Sequence, residues 1–311
     1  MHRIVFEELD AGLLSVWGTS SRDVWTVGGD VDAMGPMVLH YDGAAWRRLL
    51  TGQTGDLWWV HGVEGGPVFL GGEGGMMLRY DGPSDGSGTF TRMETPSDMP
   101  IVFGIWGSSA SDVLAVGGLG RAAGFVWRFD GTSWSELPLP SDFGGQSLFK
   151  VWGTGPNDAW IVGTDGAVLR WDGTALSTVD AGTTRTLFTV HAIDGAVAAV
   201  GGAGSGVLVQ RDADGVWHDL APELVPQLFG VFLTEEGGAA VGINGTFVRR
   251  EGATWTIEDT GLDLAETLHS VWIDPDGGVW AAGGQVLVEP LVRGVLVYRG
   301  REDVGGGSFT M

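Results

Sequence analysis

One phrase recurs down this chain. "LLSVWGTSSRDVWTVGG", beginning at Leu13, returns as "LFKVWGTGPNDAWIVGT" at Leu148, and weaker copies lie between and beyond. Seven copies are found, each led by a short apolar strand ending in one bulky residue: Trp17, His61, Trp106, Trp152, His191, Phe232 and Trp272. Ten or eleven residues on, a second strand closes at Gly28, Gly71, Gly117, Gly163, Gly201, Gly242 and Gly283. A third strand then runs into a turn, as in "VLHYDG", "VWRFDG" and "VLRWDG". Asp-Gly between alternating strands predicts a two-residue hairpin turn. A fourth strand follows at once, led by Trp46, Phe90, Trp134, Leu176, Trp217 and Trp255.

Four short antiparallel strands repeated about every 40 residues mark a β-propeller, in which each copy is one blade. A single blade cannot bury both faces, whereas seven around an axis pack face to face. The expected fold is therefore all-β, a seven-bladed β-propeller with four antiparallel strands per blade. The seventh copy has no aromatic fourth strand of its own, ending in "GVLVYRG" and "REDVGGGSFTM". "FEEL" at Phe6–Leu9 matches "WRRL" and "WSEL", so the N-terminal segment is expected to complete blade seven. The rival closure takes "QVLVE" as third strand and "GVLVY" as fourth. Residues 1–300 then form one domain, and 301–311 a flexible C-terminal tail.

The repeat accounts for most of the unusual composition. Gly at 55 of 311 residues serves tight turns, and most of the 15 Trp fill repeated slots as wedges between blades. Asp42, Asp130 and Asp172 fall in third-to-fourth turns, and Asp23, Asp112 and Asp158 in first-to-second turns, where a short carboxylate bonds local N–H groups. His61 and His191 stand in a Trp slot and are expected as hydrogen-bonded core residues. Without Cys there are neither disulfides nor thiolate metal sites. A net charge of −22 argues against nucleic acid as partner, and no run of apolar residues is long enough to enter a membrane. A monomer is expected. No signal peptide is evident, which leaves a cytoplasmic protein or a trimmed exported form.

Several motifs dissolve in context. "GLGRAAG" at Gly118 spells a dinucleotide fingerprint but precedes a strand rather than the helix that chemistry requires. "DADG" and "DPDGG" lack the further carboxylates of a calcium loop, and "NGT" at Asn244 reads as a hairpin turn. No metalloprotease, nucleophile-elbow or phosphate-loop pattern occurs. No cofactor and no metal is expected.

The order V-W-G-x-S-x-x-D-V-W-x-V-G-G…V-L-x-Y-D-G-x-x-W resembles the BNR or Asp-box-like propeller repeats, especially the seven-bladed kind of the photosystem II assembly factors. It is also similar to the "VWGSSPNDVWAVG" repeats of myxobacterial surface proteins. The likeness spans Ile4 to about Gly300 and implies architecture rather than activity. The Asp-box itself is not spelled out, since Asp172-Gly173 is followed by "TAL" without Trp. The Tyr nucleophile of a sialidase-like site has no candidate, because Tyr41, Tyr80 and Tyr298 share one strand position.

In a propeller the fourth-to-first and second-to-third loops gather on one face around the channel mouth, the default binding site. Departures from the repeat single out residues there. Two places before the bulky slot the chain has mostly small residues, but Trp59 and Lys150 intrude, the latter being the only lysine. His269 stands where other copies have Leu14, Trp58, Phe103, Phe149, Phe188 and Phe229. Arg121 and Arg185 are expected to add positive charge, with Asp30, Asp32, Asp56 and Asp165 opposing it. The expected function is non-catalytic recognition of a protein, peptide or glycan over the channel mouth. The alternative is a hydrolase or lyase acting on polysaccharide through carboxylates of this face.

Overall fold

The computed structural model describes residues 1–31, 33–63, 65–83 and 87–311. Within them the chain forms seven four-stranded antiparallel sheets arranged as the blades of a propeller. Blade one consists of Leu13–Ser20, Asp23–Gly28, Val38–Tyr41 and Trp46–Arg48, from the axis outwards. The inner strands of the other blades are Leu57–Gly62, Ile101–Ser109, Leu148–Gly155, Leu187–Ile193, Leu228–Leu233 and Thr267–Ile273. Each lies beside the next, and that of blade seven returns to that of blade one.

Blade seven is shared between the two ends of the chain. Its outer strand, His2–Leu9, pairs antiparallel with Val292–Arg299, setting Arg3 opposite Tyr298, Phe6 opposite Leu296 and Leu9 opposite Gly294. The strand thus starts four residues before the "FEEL" match, and the rival closure is excluded. Residues 301–311, expected as a flexible tail, pack against this junction. Val304 is fully buried, its carbonyl accepts the Trp46 indole N–H at 2.9 Å, and Thr310 exchanges backbone hydrogen bonds with Trp46 and Arg48. This lays a parallel bridge along the outer edge of blade one and covers backbone groups that an edge strand otherwise exposes.

Apolar layers fill the spaces between blades, with Trp25, Trp127 and Trp280 almost wholly buried. Each such side chain removes on the order of 200 Å² from water, roughly 5 kcal/mol of gross stabilisation. Nearer the axis, the wedge works through glycine. A Cβ on Gly18 would stand 2.8 Å from the Trp272 ring, one on Gly62 2.3 Å from Trp17, and one on Gly153 2.6 Å from Trp106. The G that follows the bulky residue in the repeat is the seat for the previous blade's Trp.

The turns differ from expectation. Tyr41 pairs with Trp46, Phe129 with Trp134 and Trp171 with Leu176, so these loops hold four residues, not two. The carboxylates of Asp42, Asp130 and Asp172 accept two backbone N–H groups each across the loop, which stabilises the longer form with only the glycine at positive φ. Asp23, Asp112 and Asp158 brace sheets rather than binding local N–H groups. They accept hydrogen bonds from Thr19, Ser108 and Thr154 at 2.5, 2.5 and 2.7 Å and engage His40, Arg128 and Arg170 of the third strand.

Candidate functional site

Every inner strand carries a β-bulge at the same place. The pairing skips Leu14, Trp58, Phe103, Phe149, Phe188, Phe229 and His269, one per blade. Strict alternation would turn each of these side chains away from the axis; the extra residue re-aims it toward the channel mouth. Six of the seven are rings, and they touch in sequence around the axis. Trp58–Phe103, Phe103–Phe149, Phe149–Phe188, Phe188–Phe229 and Phe229–His269 have centroids 5.0, 5.3, 5.6, 4.7 and 5.6 Å apart. Trp58 and His269 close the circle at 6.2 Å over Leu14, which is buried beneath Val286 and Leu291 of the blade-seven loop. The result is an aromatic collar around a cavity of about 240 Å³, with Val286 and Leu287 at its edge.

One step deeper, side chains tie neighbouring inner strands together. Ser270 and Ser15 accept the amides of Val16 and Val60 at 3.3 Å, Thr189 donates to the Phe229 carbonyl at 2.6 Å, and the Trp59 indole donates to Ile105 at 3.0 Å. Lys150 reaches back instead, donating from Nζ to the Phe103 carbonyl at 2.7 Å. Its Nζ lies 3.4 Å from the centre of the Trp59 ring. Burial, with no charged partner to offset it, holds its pKa well below the ordinary lysine range. His269 donates from Nδ1 to the Leu14 carbonyl at 2.7 Å. Burial, with nearby Lys150 adding to it, lowers its pKa to about 4, so the ring is neutral and Nδ1 is the donor.

Below this level Trp152 departs from its slot-mates. Besides packing on the next blade at His191, 4.2 Å away, it reaches toward the axis, its ring 5.5 Å from His61 of blade two and 5.7 Å from Phe232 of blade six. The space left above it is about 20 Å³, lined by Trp59, Thr189 and Trp17 among others, scarcely room for one water. The two histidines are only half satisfied. His191 Nδ1 accepts the Leu233 amide at 3.1 Å, while its Nε2 and the Nδ1 of His61 are buried without partners among the described residues. Burial drives their pKa values down to about 3 and about 4.

The sequence-selected residues therefore separate into groups. Trp59, Lys150 and His269 come together at the collar. Asp30 and Asp56 interlock instead: Asp56 accepts the Asp30 amide at 2.7 Å, and Asp30 accepts the Gly55 amide at 2.8 Å. Asp56 is buried and its pKa is pushed up to about 6, chiefly by desolvation, with Glu73, Glu289 and Asp30 adding repulsion. Arg121 pairs with Asp165 at 2.7 Å on the exposed rim. Arg185 clamps the blade-five loop through the carbonyls of Ala203, Ser205 and Gly206. Asp32 lies outside the described residues. Trp58, Phe103, Phe149, Phe188 and Phe229 were not singled out, although six copies sharing a ring at one position carried the signal. Among the described residues no helix is long and apolar enough to cross a membrane, and no group of three or more His, Asp or Glu is placed to hold a metal.

No family model and no curated protein sequence matches the chain. Solved structures do match over nearly its whole length. YCF48 from Cyanidioschyzon merolae superposes with a TM-score of 0.69 at 14% identity, covering 96% of this chain and 98% of that one. YCF48 bound to D1 peptide gives 0.70 at 15%, with 97% of both chains covered. The WD40 β-propeller domain of Doa1 gives 0.72 at 12%, covering 98% and 99%. At such identities the likeness is one of fold.

Proposed function

We propose that this propeller is a recognition module that binds a protein or peptide segment across the collar on its loop face. The aromatic circle carries the reading. Rings held in place by seven bulges offer a preorganised apolar seat, and Leu287 and Val288 stand beside it 51% and 68% exposed. Structurally similar propellers supply support of a second kind, since one of them is a complex with a peptide and others are WD40 domains. In this reading Trp59, Lys150 and His269 form the deep part of the site, and Arg121, Asp165, Arg185, Asp30 and Asp56 shape its rim. Kinship with the Asp-box-like repeats belongs to the same proposal. A glycan in place of the peptide is the competing occupant.

Selection of a displayed random-peptide library on the unaltered protein tests this reading. Peptides with an apolar or aromatic anchor are expected, and Phe149→Ala or the Leu287→Asp, Val288→Asp pair is expected to weaken them about tenfold or more. Selected peptides that bind these variants as well as the parent would refute it, as would a glycan array with hits where the library yields none.

The polysaccharide hydrolase or lyase reading has one observation on its side, the raised pKa of Asp56 among Asp30, Glu73 and Glu289. Release of reducing ends from a panel of acidic and neutral polysaccharides, abolished by Asp56→Asn, would establish it; no release from any of them removes it.

A further inference from the structure

The collar cavity has a buried ammonium group in its wall with no anion beside it among the described residues. The acceptors of its own walls, Nε2 of the neutral His269 and the Thr189 hydroxyl oxygen, are uncharged. Its walls are rings and aliphatic side chains, and Thr189 spends its hydroxyl proton on the Phe229 carbonyl. Lys150, only 4% exposed, has three protons when charged and gives one to the Phe103 carbonyl. Its remaining side faces the Trp59 ring, and no carboxylate shares its charge among the described residues. The indole N–H of Trp58, also in the wall, is buried without an acceptor among the described residues. One apolar cavity thus has in its wall an ammonium group with a single hydrogen bond and no counter-charge, and an indole N–H with no acceptor, among the described residues.

A neutral hydrocarbon leaves the Lys150 charge and the Trp58 N–H unanswered, and a cation is repelled by Lys150. An anion of small size supplies the acceptor atoms and the missing counter-charge together. We propose that the cavity is a binding site for a carboxylate carried on a compact apolar group, with Lys150 as its counter-ion and the collar rings around the apolar part. A cavity of about 150 Å³ suffices for benzene, so about 240 Å³ takes a phenyl ring with a short acid arm. The inference uses the same collar as the peptide reading but does not depend on a peptide being the occupant. Both a free acid and the C-terminal residue of a chain present this chemistry.

Calorimetric titration with four probes decides it: 3-phenylpropanoate, 3-phenylpropanamide, and a tripeptide ending in Phe with a free or an amidated end. The acid of a pair is expected to bind about tenfold tighter than its amide. Preference with phenylpropanoate identifies a free acid as sufficient, and preference with the tripeptide alone identifies a chain end. Lys150→Met is expected to erase the preference, and Trp58→Phe, which keeps the ring and removes the N–H, to reduce it. Equal binding of acid and amide in both pairs overturns the proposal, as does an undiminished preference in Lys150→Met. Should Lys150→Met not fold, the acid-to-amide ratio of the unaltered protein and of Trp58→Phe still decides. Library peptides held by side chains alone would leave the peptide reading standing when this one fails.

Discussion

Lys150 Nζ lies 3.4 Å from the centre of the Trp59 indole, and its one hydrogen bond runs to the Phe103 carbonyl. A ring face offsets roughly 1–2 kcal/mol of the cost of burying an ammonium group, whereas desolvation at such a site reaches several. Desolvation wins, which is why the pKa falls.

Replacing Lys150 by Met is accordingly expected to stabilise the fold, by about 1–3 kcal/mol near pH 7. The unfolded chain protonates this amine more readily than the native one, so the native state is penalised below the unfolded pKa. The penalty fades as pH rises through that value. Thermal melts should show the variant ahead at pH 7 and the gap closing by about pH 10.

Acid acts through His61 and His191, whose folded pKa values are near 4 and 3. Both are neutral in the fold, so their contribution is complete above the unfolded value of about 6.5 and is lost as pH falls toward 4. His191→Phe forfeits the acceptor for the Leu233 amide, about 1 kcal/mol at pH 7, yet it should lose less stability on acidification. Urea titrations at pH 7 and pH 4.5 measure both effects.

Asp56 works in the opposite sense. Its folded pKa of about 6 lies above the unfolded value, so its favourable contribution is complete in acid and disappears as pH rises through 6. Asp56→Asn retains an oxygen for the Asp30 amide and should stabilise by roughly 1–3 kcal/mol at pH 8, with no gain left at pH 4. A melting temperature unchanged at pH 8 would show that water relieves the burial of this carboxylate.

The seat of the Trp106 wedge is tested by Gly153→Ala. The new methyl would stand 2.6 Å from the Trp106 ring and 2.7 Å from the Asp158 carbonyl. Overpacking between blades four and three should cost about 2 kcal/mol or more, read as a lower urea midpoint. An alanine tolerated without loss would mean that the blades slide easily past one another.

The sequence announced the blades because each copy repeats the same local chemistry, and it announced the shared seventh sheet because "FEEL" is a recognisable outer strand. The collar was harder to see. Leu14, Trp58 and their counterparts sit one residue before the wall-lining position, and a period of two assigns such neighbours to opposite sides. Only the bulge brings them to the same opening, and a bulge with no glycine at positive φ leaves no mark in the sequence. Lys150 and Trp59 stood out as intruders among small residues, but not as partners, since they belong to blades four and two. Trp152 was indistinguishable from Trp106, because what separates them is the space across the axis.

The position of Trp152 decides how anything occupies this molecule. With its ring 5.5 Å from His61 of blade two and 5.7 Å from Phe232 of blade six, the passage narrows beneath the collar to a space of about 20 Å³. A space that small passes no strand, and two occupants of the collar cavity, about 240 Å³, must exclude one another. A slow-leaving guest would therefore block the whole face for as long as it stayed.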